Sequence, residues 1–180
     1  MSAESRPVVL VTGAARRVGR AIALDLAAHG FDIAAHSHIG SEESAETLAD
    51  ARALGARAEP FVTDLSDEAA CAALVPGVVA RFGRLDAVVN NASRFEYDSA
   101  ADCSYASMAA HWQVNAAAPV LLARALHAHL ATGGRRGCVV NLLDQKLWNP
   151  NPDHFSYTLS KAALETATTL LAQALAPEVR

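Results

Sequence analysis

Tyr157 and Lys161 lie four residues apart in FSYTLSKAALETATTLLAQALA (155–176), a segment with helical apolar spacing, so their side chains share one face. A free phenol titrates near 10, too high to exchange protons readily at neutral pH. A neighbouring ammonium favours phenolate and is expected to pull that value toward the working range. Asp144 stands thirteen residues before Tyr157, in NLLDQK (141–146). If it holds or relays a proton it can protonate a ring nitrogen, not only polarise a carbonyl; the alternative is a plain loop cap. Near the start of the chain, TGAARRVG (12–19) joins an apolar run to a helical one. Gly13 allows a tight turn, Gly19 allows a helix to begin close by, and the exposed N–H groups and helix dipole then face an anion.

These groups need a scaffold, and the chain supplies alternating elements. The strand patterns are PVVLVTG (7–13), DIAAHSH (32–38), ARAEPFVTDL (56–65), LDAVVNNAS (85–93) and GCVVNLLD (137–144). Between them run helical segments at 18–30, 41–55 and 66–83, a long one from about Ser107 to Leu130, and the last at 155–176. Val18, Ile22 and Leu26 are four apart, and Ser41 caps a first turn holding Glu42 and Glu43. Pro76-Gly77 and Pro119 are expected to kink or interrupt their helices. Continuously apolar strands in strict alternation with helices predict an α/β fold: a doubly wound parallel sheet in three α/β/α layers, as a single domain over 1–180.

Composition excludes several classes. Of 180 residues, 52% are hydrophobic and 19% charged, which suits a packed core rather than disorder. Net charge is −4 without a Lys/Arg block, so no nucleic-acid footprint is expected. Charges or Pro break every long apolar stretch, so no membrane span is expected. MSAESRP lacks the layout of a leader. Cys71, Cys103 and Cys138 are scattered, which suits a reducing cytoplasm. His127 and His129 do not share a helix face and make a poor metal pair.

The motifs taken together resemble the short-chain dehydrogenase/reductase family. TGAARRVG is similar to its TGxxxGxG turn, with Arg17 in the place of the middle glycine. NNAS (90–93) resembles its NNAG, VNAAAP (114–119) holds Asn115, and YTLSK (157–161) matches its YxxxK signature. The resemblance implies a Rossmann-type fold and a nicotinamide dinucleotide held by Gly13, Arg16, Arg17, Val18 and Gly19 of the turn, by Asp64 and Leu65 at the adenine, and by Asn91, Ala92 and Ser93. Tyr157 would donate the proton, Lys161 would also bind the nicotinamide ribose, and Asn115 would hold a water that relays protons to the lysine. The second strand ends His36-Ser37-His38 with no carboxylate to repel a 2′-phosphate, and Arg16 and Arg17 add positive charge, so NADP(H) is expected. Arg16 as a mere surface cation is the alternative.

Arg17, Ser93-Arg94-Phe95 and Asp144 also resemble the pteridine reductases of this family. That likeness implies that Phe95 stacks on a pterin while Arg17, Ser93, Asp144 and Tyr157 contact its polar edges; the alternative for Phe95 is loop packing. Those enzymes carry an Arg after the His pair of the second strand, where this chain has Ile39-Gly40-Ser41. The implied reaction is NADPH-dependent reduction of a dihydropterin or related C=N ring. A carbonyl reductase for a ketone or 3-oxoacyl substrate, or a non-catalytic NADP-binding scaffold, are the rivals. Family members continue with further strands, so the resemblance implies a chain incomplete at its C-terminus, with an exposed sheet edge. It also implies a homodimer or homotetramer through the helices at 107–130 and 155–176.

Overall fold

Val-rich runs become parallel strands when helices cover both of their faces. The structure is a computed structural model that describes residues 6–180; the first five residues, which carry most of the leader reading, lie outside it. In chain order the elements are β1 (Val8–Val11), α1 (Arg17–Ala28), β2 (Asp32–Ser37), α2 (Glu42–Ala53), β3 (Ala58–Val62), α3 (Glu68–Phe82), β4 (Ala87–Asn90), α4 (Tyr105–Trp112), α5 (Ala118–Thr132), β5 (Cys138–Asn141) and α6 (Phe155–Ala174). A π turn, Gln113–Ala117, joins α4 to α5, and a 3-10 turn, Gln145–Leu147, follows β5. The strands pair in parallel in the order β3-β2-β1-β4-β5, the Rossmann-type sheet that the alternation predicts. Strand order reverses between β1 and β4, so their C-terminal ends splay around a crevice.

One core layer sets Leu10 and Val88 against Leu74, Val78, Leu122 and Leu126. The other sets Val9, Val11 and Ile33 against Ala23, Ala27 and Leu48. Helix α1 buries Gly19, Ala23 and Ala27, while Val18 is exposed. Its inner face is therefore one residue round from the Val18–Ile22–Leu26 row, because the helix approaches the sheet too closely for larger side chains. Among the described residues no helix is long and apolar enough to cross a membrane.

The prolines act differently from expectation. Helix α3 runs through Pro76 to Gly83; Pro76 and Ala72, whose carbonyl loses its partner, both face solvent, where water replaces the bond. The helix expected over 107–130 breaks at the π turn, where the Ala118 N–H reaches back to the Gln113 carbonyl. Pro119 then falls in the first turn of α5, where its missing donor is harmless. Pro60 is tolerated because β3 is an edge strand. At the opposite edge, residues 178–180 lie along β5: Gly137 N–H donates to Glu178 O at 2.8 Å and Val139 N–H to Arg180 O at 2.7 Å. That edge is thus partly paired, not bare as expected.

Thr12 holds the crevice together. Its buried hydroxyl donates to Val89 O at 3.3 Å and accepts the Asn91 and Ala92 N–H groups, each at 3.0 Å. Thr12→Val keeps the shape but orphans both amides, at about 1–3 kcal/mol per lost partner. The urea midpoint should fall markedly, whereas Thr12→Ser should stay near wild type.

Candidate active site

The turn after β1 is fixed by steric exclusion. Gly13 is left-handed (φ +64°), and a β-carbon on Gly19 would stand 2.1 Å from Gly13 O and 2.5 Å from Asn91 Nδ2. Only hydrogen fits there, so the start of α1 comes down onto the turn with its free N–H groups facing the crevice. Arg17 takes φ 52°, a left-handed conformation that costs a side-chain-bearing residue about 1–2 kcal/mol. Thus the middle position of the turn still demands glycine-like geometry, although arginine occupies it.

Gly13, Arg16, Arg17, Val18 and Gly19, the β2 end at His36, Ser37 and His38, Asp64 and Leu65 after β3, and Asn91, Ala92 and Ser93 after β4 all line one cleft of about 700 Å³. Ser41, Thr63, Ser66, Arg94 and Val114 line it as well; the sequence reading did not assign them to the cofactor. Several of these residues brace the cleft rather than face it. His36 Nδ1 accepts the Gly13 N–H at 3.2 Å, and Nε2 donates to Thr63 O at 2.9 Å. Burial lowers its pKa despite the Thr63 bond, so it is a neutral bolt between turn and strand. Ser37 is also buried. Of the three, His38 is the most exposed to the cleft, while His36 and Ser37 form its buried wall. Asn91 Nδ2 donates to Thr12 O and Gly13 O at 2.8 and 3.0 Å, so its side chain also locks the turn.

The cleft is less purely positive than the sequence implied. Glu43 lies 3.9 Å from Arg16, and Asp64 lies 3.7 Å from His38. Bonds from the Ser66 hydroxyl and amide hold the Asp64 carboxyl below its usual range. Such exposed pairs are worth at most about 1 kcal/mol. A phosphate offering several charge-assisted bonds can outbid Glu43 for Arg16.

Ser93 joins this cleft to a second cluster. Asn115 is buried, and its Oδ1 accepts Arg94 N–H at 2.7 Å and Ser93 Oγ–H at 3.2 Å. Its Nδ2 donates to Arg94 O and to Ser160 Oγ, both at 2.9 Å. That fills the amide's bonding capacity. The Asn115 side chain thus braces the 93–94 loop against the Tyr157–Lys161 face.

Tyr157 Oη donates to Asp144 Oδ2 at 2.7 Å, while Asp144 Oδ1 accepts the Lys146 N–H at 2.8 Å. One oxygen thus caps the loop and the other contacts the phenol. Lys161 is buried, donates to Leu142 O at 2.8 Å, and sits 5.9 Å from the Tyr157 ring centroid. The expected lowering of the phenol is reversed. Burial, then the Asp144 bond and charge, push Tyr157 well above its usual value, because the anion is in contact and the ammonium is not. The bonds from Lys146 N–H and Tyr157 hold the Asp144 carboxyl below the usual carboxylate range, with the Lys161 charge assisting. Burial lowers Lys161 against the pull of Asp144.

Phe95 is 59% exposed, so it is not core filling. Its ring stacks on His154 (4.1 Å, 18°) and meets the Tyr157 ring edge-on at 4.7 Å. One face is thereby occupied, and any flat ligand must take the other or displace His154. No sequence pattern pointed to that imidazole as the partner of Phe95.

A cleft at the strand-order reversal, cornered by a glycine turn and joined to a Tyr–Lys–Asp cluster, is the arrangement of a dinucleotide-binding α/β protein. The chain belongs to the short chain dehydrogenase family, whose model matches residues 7–180. It is 31% identical over 168 residues to a hydroxynaphthalene reductase of Aspergillus fumigatus, covering 93% of this chain and 60% of that protein's length. The crystal structure of a FolM alternative dihydrofolate reductase from Brucella canis, complexed with NADP, is 40% identical with TM-score 0.91, covering 98% of this chain and 71% of that one. An acetoin dehydrogenase from Enterobacter cloacae is 28% identical with TM-score 0.93, at 98% and 71% coverage.

The electrostatics of the phenol can be checked directly. Asp144→Asn removes the anion that disfavours phenolate, so Tyr157 should ionise at lower pH than in wild type. Ultraviolet difference titration, with Tyr157→Phe identifying the signal, reads the shift; an unchanged or raised midpoint would contradict it.

Proposed function

We propose that this protein is an NADPH-dependent reductase that adds hydride to the C=N bond of a flat, pterin-like heterocycle, most simply a dihydropterin, with Tyr157 as proton donor. The observation that carries the reading is the Asp144–Tyr157 bond beside the exposed Phe95 ring. A hydroxyl in place of Asp144 would serve a carbonyl. An anion that keeps the phenol protonated suits delivery of a proton to a basic ring nitrogen.

The cleft beside the Gly13–Gly19 turn, onto which the start of α1 is brought down, fits a pyrophosphate. NADP(H) would be held there by the turn, with Arg16 and His38 toward the 2′-phosphate, Asp64 and Leu65 at the adenine, Ala92 and Ser93 toward the nicotinamide, and Lys161 and Tyr157 at its ribose. When bound, the reduced cofactor supplies hydride from its nicotinamide ring. As the C=N carbon takes up that hydride and its π pair shifts to nitrogen, Tyr157 would give its proton to that nitrogen and complete the N–H. The raised phenol pKa keeps this acid loaded throughout the neutral range. A tyrosinate left against Asp144 is unfavourable and regains a proton through the half-exposed carboxylate. Arg17 and Ser93 would meet the polar edges of the heterocycle, and Phe95 its π face.

The similarity to an acetoin dehydrogenase and a hydroxynaphthalene reductase supports a second reading, a reductase of ketone or 3-oxoacyl carbonyls. Asp144 then acts only as a loop cap and phenol partner. In either case Tyr105, Trp112, Leu159 and Leu170, exposed on α4 and α6, support pairing of copies into a homodimer or tetramer. Three free cysteines suit a cytoplasmic setting.

The deciding experiment is NADPH oxidation by the full-length protein with dihydrobiopterin and dihydrofolate beside diacetyl and a 3-oxoacyl ester. Preferential turnover of the pterins is expected; turnover of carbonyls alone replaces the first reading with the second. Tyr157→Phe should lower kcat by about 10²–10⁴-fold, the usual worth of a positioned acid, without weakening NADPH binding measured by fluorescence. Asp144→Ser should impair pterin turnover more than ketone turnover, and equal losses would remove its assigned role.

A further inference from the structure

The segment carrying Phe95 is sewn to the catalytic helix by three successive residues. His154 Nδ1–H donates to Glu96 O at 3.0 Å, Phe155 N–H to Asp98 O at 3.2 Å, and Ser156 N–H to Asp98 Oδ1 at 2.9 Å. The Ser156 hydroxyl donates to the other oxygen, Asp98 Oδ2. On its far side the same segment is held by His111 of α4, whose Nε2 accepts the Glu96 N–H at 3.2 Å.

Helix α6 lacks a cap of its own. His154, at the N-cap position, is left-handed (φ 56°) and makes no side-chain cap bond. The first amides of a helix need acceptors, and their dipole end favours an anion. Asp98, 58 residues upstream of Ser156, supplies both. The carboxylate is only 6% exposed. Burial pushes its pKa up, but the Ser156 hydroxyl and amide, with Ser107 and His111 behind them, leave it net below the usual carboxylate range. An unpaired buried carboxylate would be prohibitive, so this one persists through its bonds to α6.

We propose that Asp98 is a positioning residue for Tyr157: it replaces the missing N-cap of α6 and registers the phenol against Phe95 and Asp144. Tyr157 follows Ser156 directly, and its ring meets Phe95, three residues before Asp98, at 4.7 Å. The contacts Phe95–Tyr157 and Ser156–Asp98 close a small loop that makes the aromatic wall and the proton donor one rigid unit. The proposal requires Tyr157 to be the proton donor but does not depend on which substrate fills the slot.

The test uses Asp98→Ala and Asp98→Asn in the full chain, with thermal melts confirming that each folds. In Asp98→Ala, amide exchange at 155–158 should quicken about tenfold, the change expected of a lost helix cap, while the C-terminal half of α6 is unaffected. NADPH binding should hold within about twofold and kcat should fall about 10- to 100-fold with KM nearly constant, as for a displaced catalytic group. Asp98→Asn keeps an acceptor for the Ser156 amide and should recover most of the loss. In a Tyr157→Phe background, Asp98→Ala should cost no further rate, because the group it positions is gone. Unchanged exchange at 155–158, or an equal kcat loss in that background, overturns the proposal. The exchange measurement decides even if no tested substrate turns over, and so separates this failure from failure of the substrate assignment.

Discussion

The contact between Gly19 and the Gly13 carbonyl governs the architecture of the cleft. A β-carbon at residue 19 would lie 2.1 Å from that oxygen, so α1 can come this near only with glycine there. The close approach then dictates the inner face of the helix, where Ala23 and Ala27 follow Gly19 and leave no room for Val18. It also points the unpaired amides at the start of α1 into the cleft. The same turn is gripped from β2 by His36 and from β4 by Asn91. Three strands thereby converge on one loop, whose shape is held by contacts within the protein.

The proton-transfer cluster obeys a different constraint, which is distance in a partly buried setting. Lys161 was the natural partner for Tyr157 by spacing, and the helix does place them on one side. Its ammonium is directed to the Leu142 carbonyl, however, while the Asp144 carboxylate touches the phenol at 2.7 Å. Coulomb energy scales inversely with separation, so the contact anion outweighs a cation across the ring. The phenol is therefore kept protonated through the neutral range.

The fold was legible because its signal is periodic and local. Five apolar runs separated by helical segments leave few topologies, and the strand ends bring the turn, His38, Asp64 and Ser93 together without further information. Asp144 and Tyr157 were legible as a pair through their thirteen-residue spacing in the family that the motifs resemble. The braces were not legible. Asn115 reaches back to Arg94, His111 to Glu96, and Ser156 to Asp98, across 21, 15 and 58 residues. Each is a short-range polar bond between residues distant in sequence, and no spacing rule records it. The sign of the Tyr157 shift failed because burial and the contact with Asp144, not the neighbouring ammonium, set it. Pro119 misled because the π turn at Gln113–Ala117, invisible in residue types, moved it into the first turn of a new helix.

Backbone strain offers an independent pointer to the same region. Among the described residues only Arg17 and His154 take positive φ without being glycine, at 52° and 56°. Each forfeits about 1–2 kcal/mol relative to a glycine at that position, and each stands at the start of a helix that carries part of the site. Arg17 lines the cleft beneath the turn, and His154 stacks on Phe95. His154 stands at the N-cap of α6 without making a side-chain cap bond, and Arg16, which precedes Arg17, makes none at the N-cap of α1. Local stability alone would favour glycine at both places. Retaining a guanidinium at one and an imidazole at the other therefore makes sense where the side chains themselves meet a ligand or its aromatic wall.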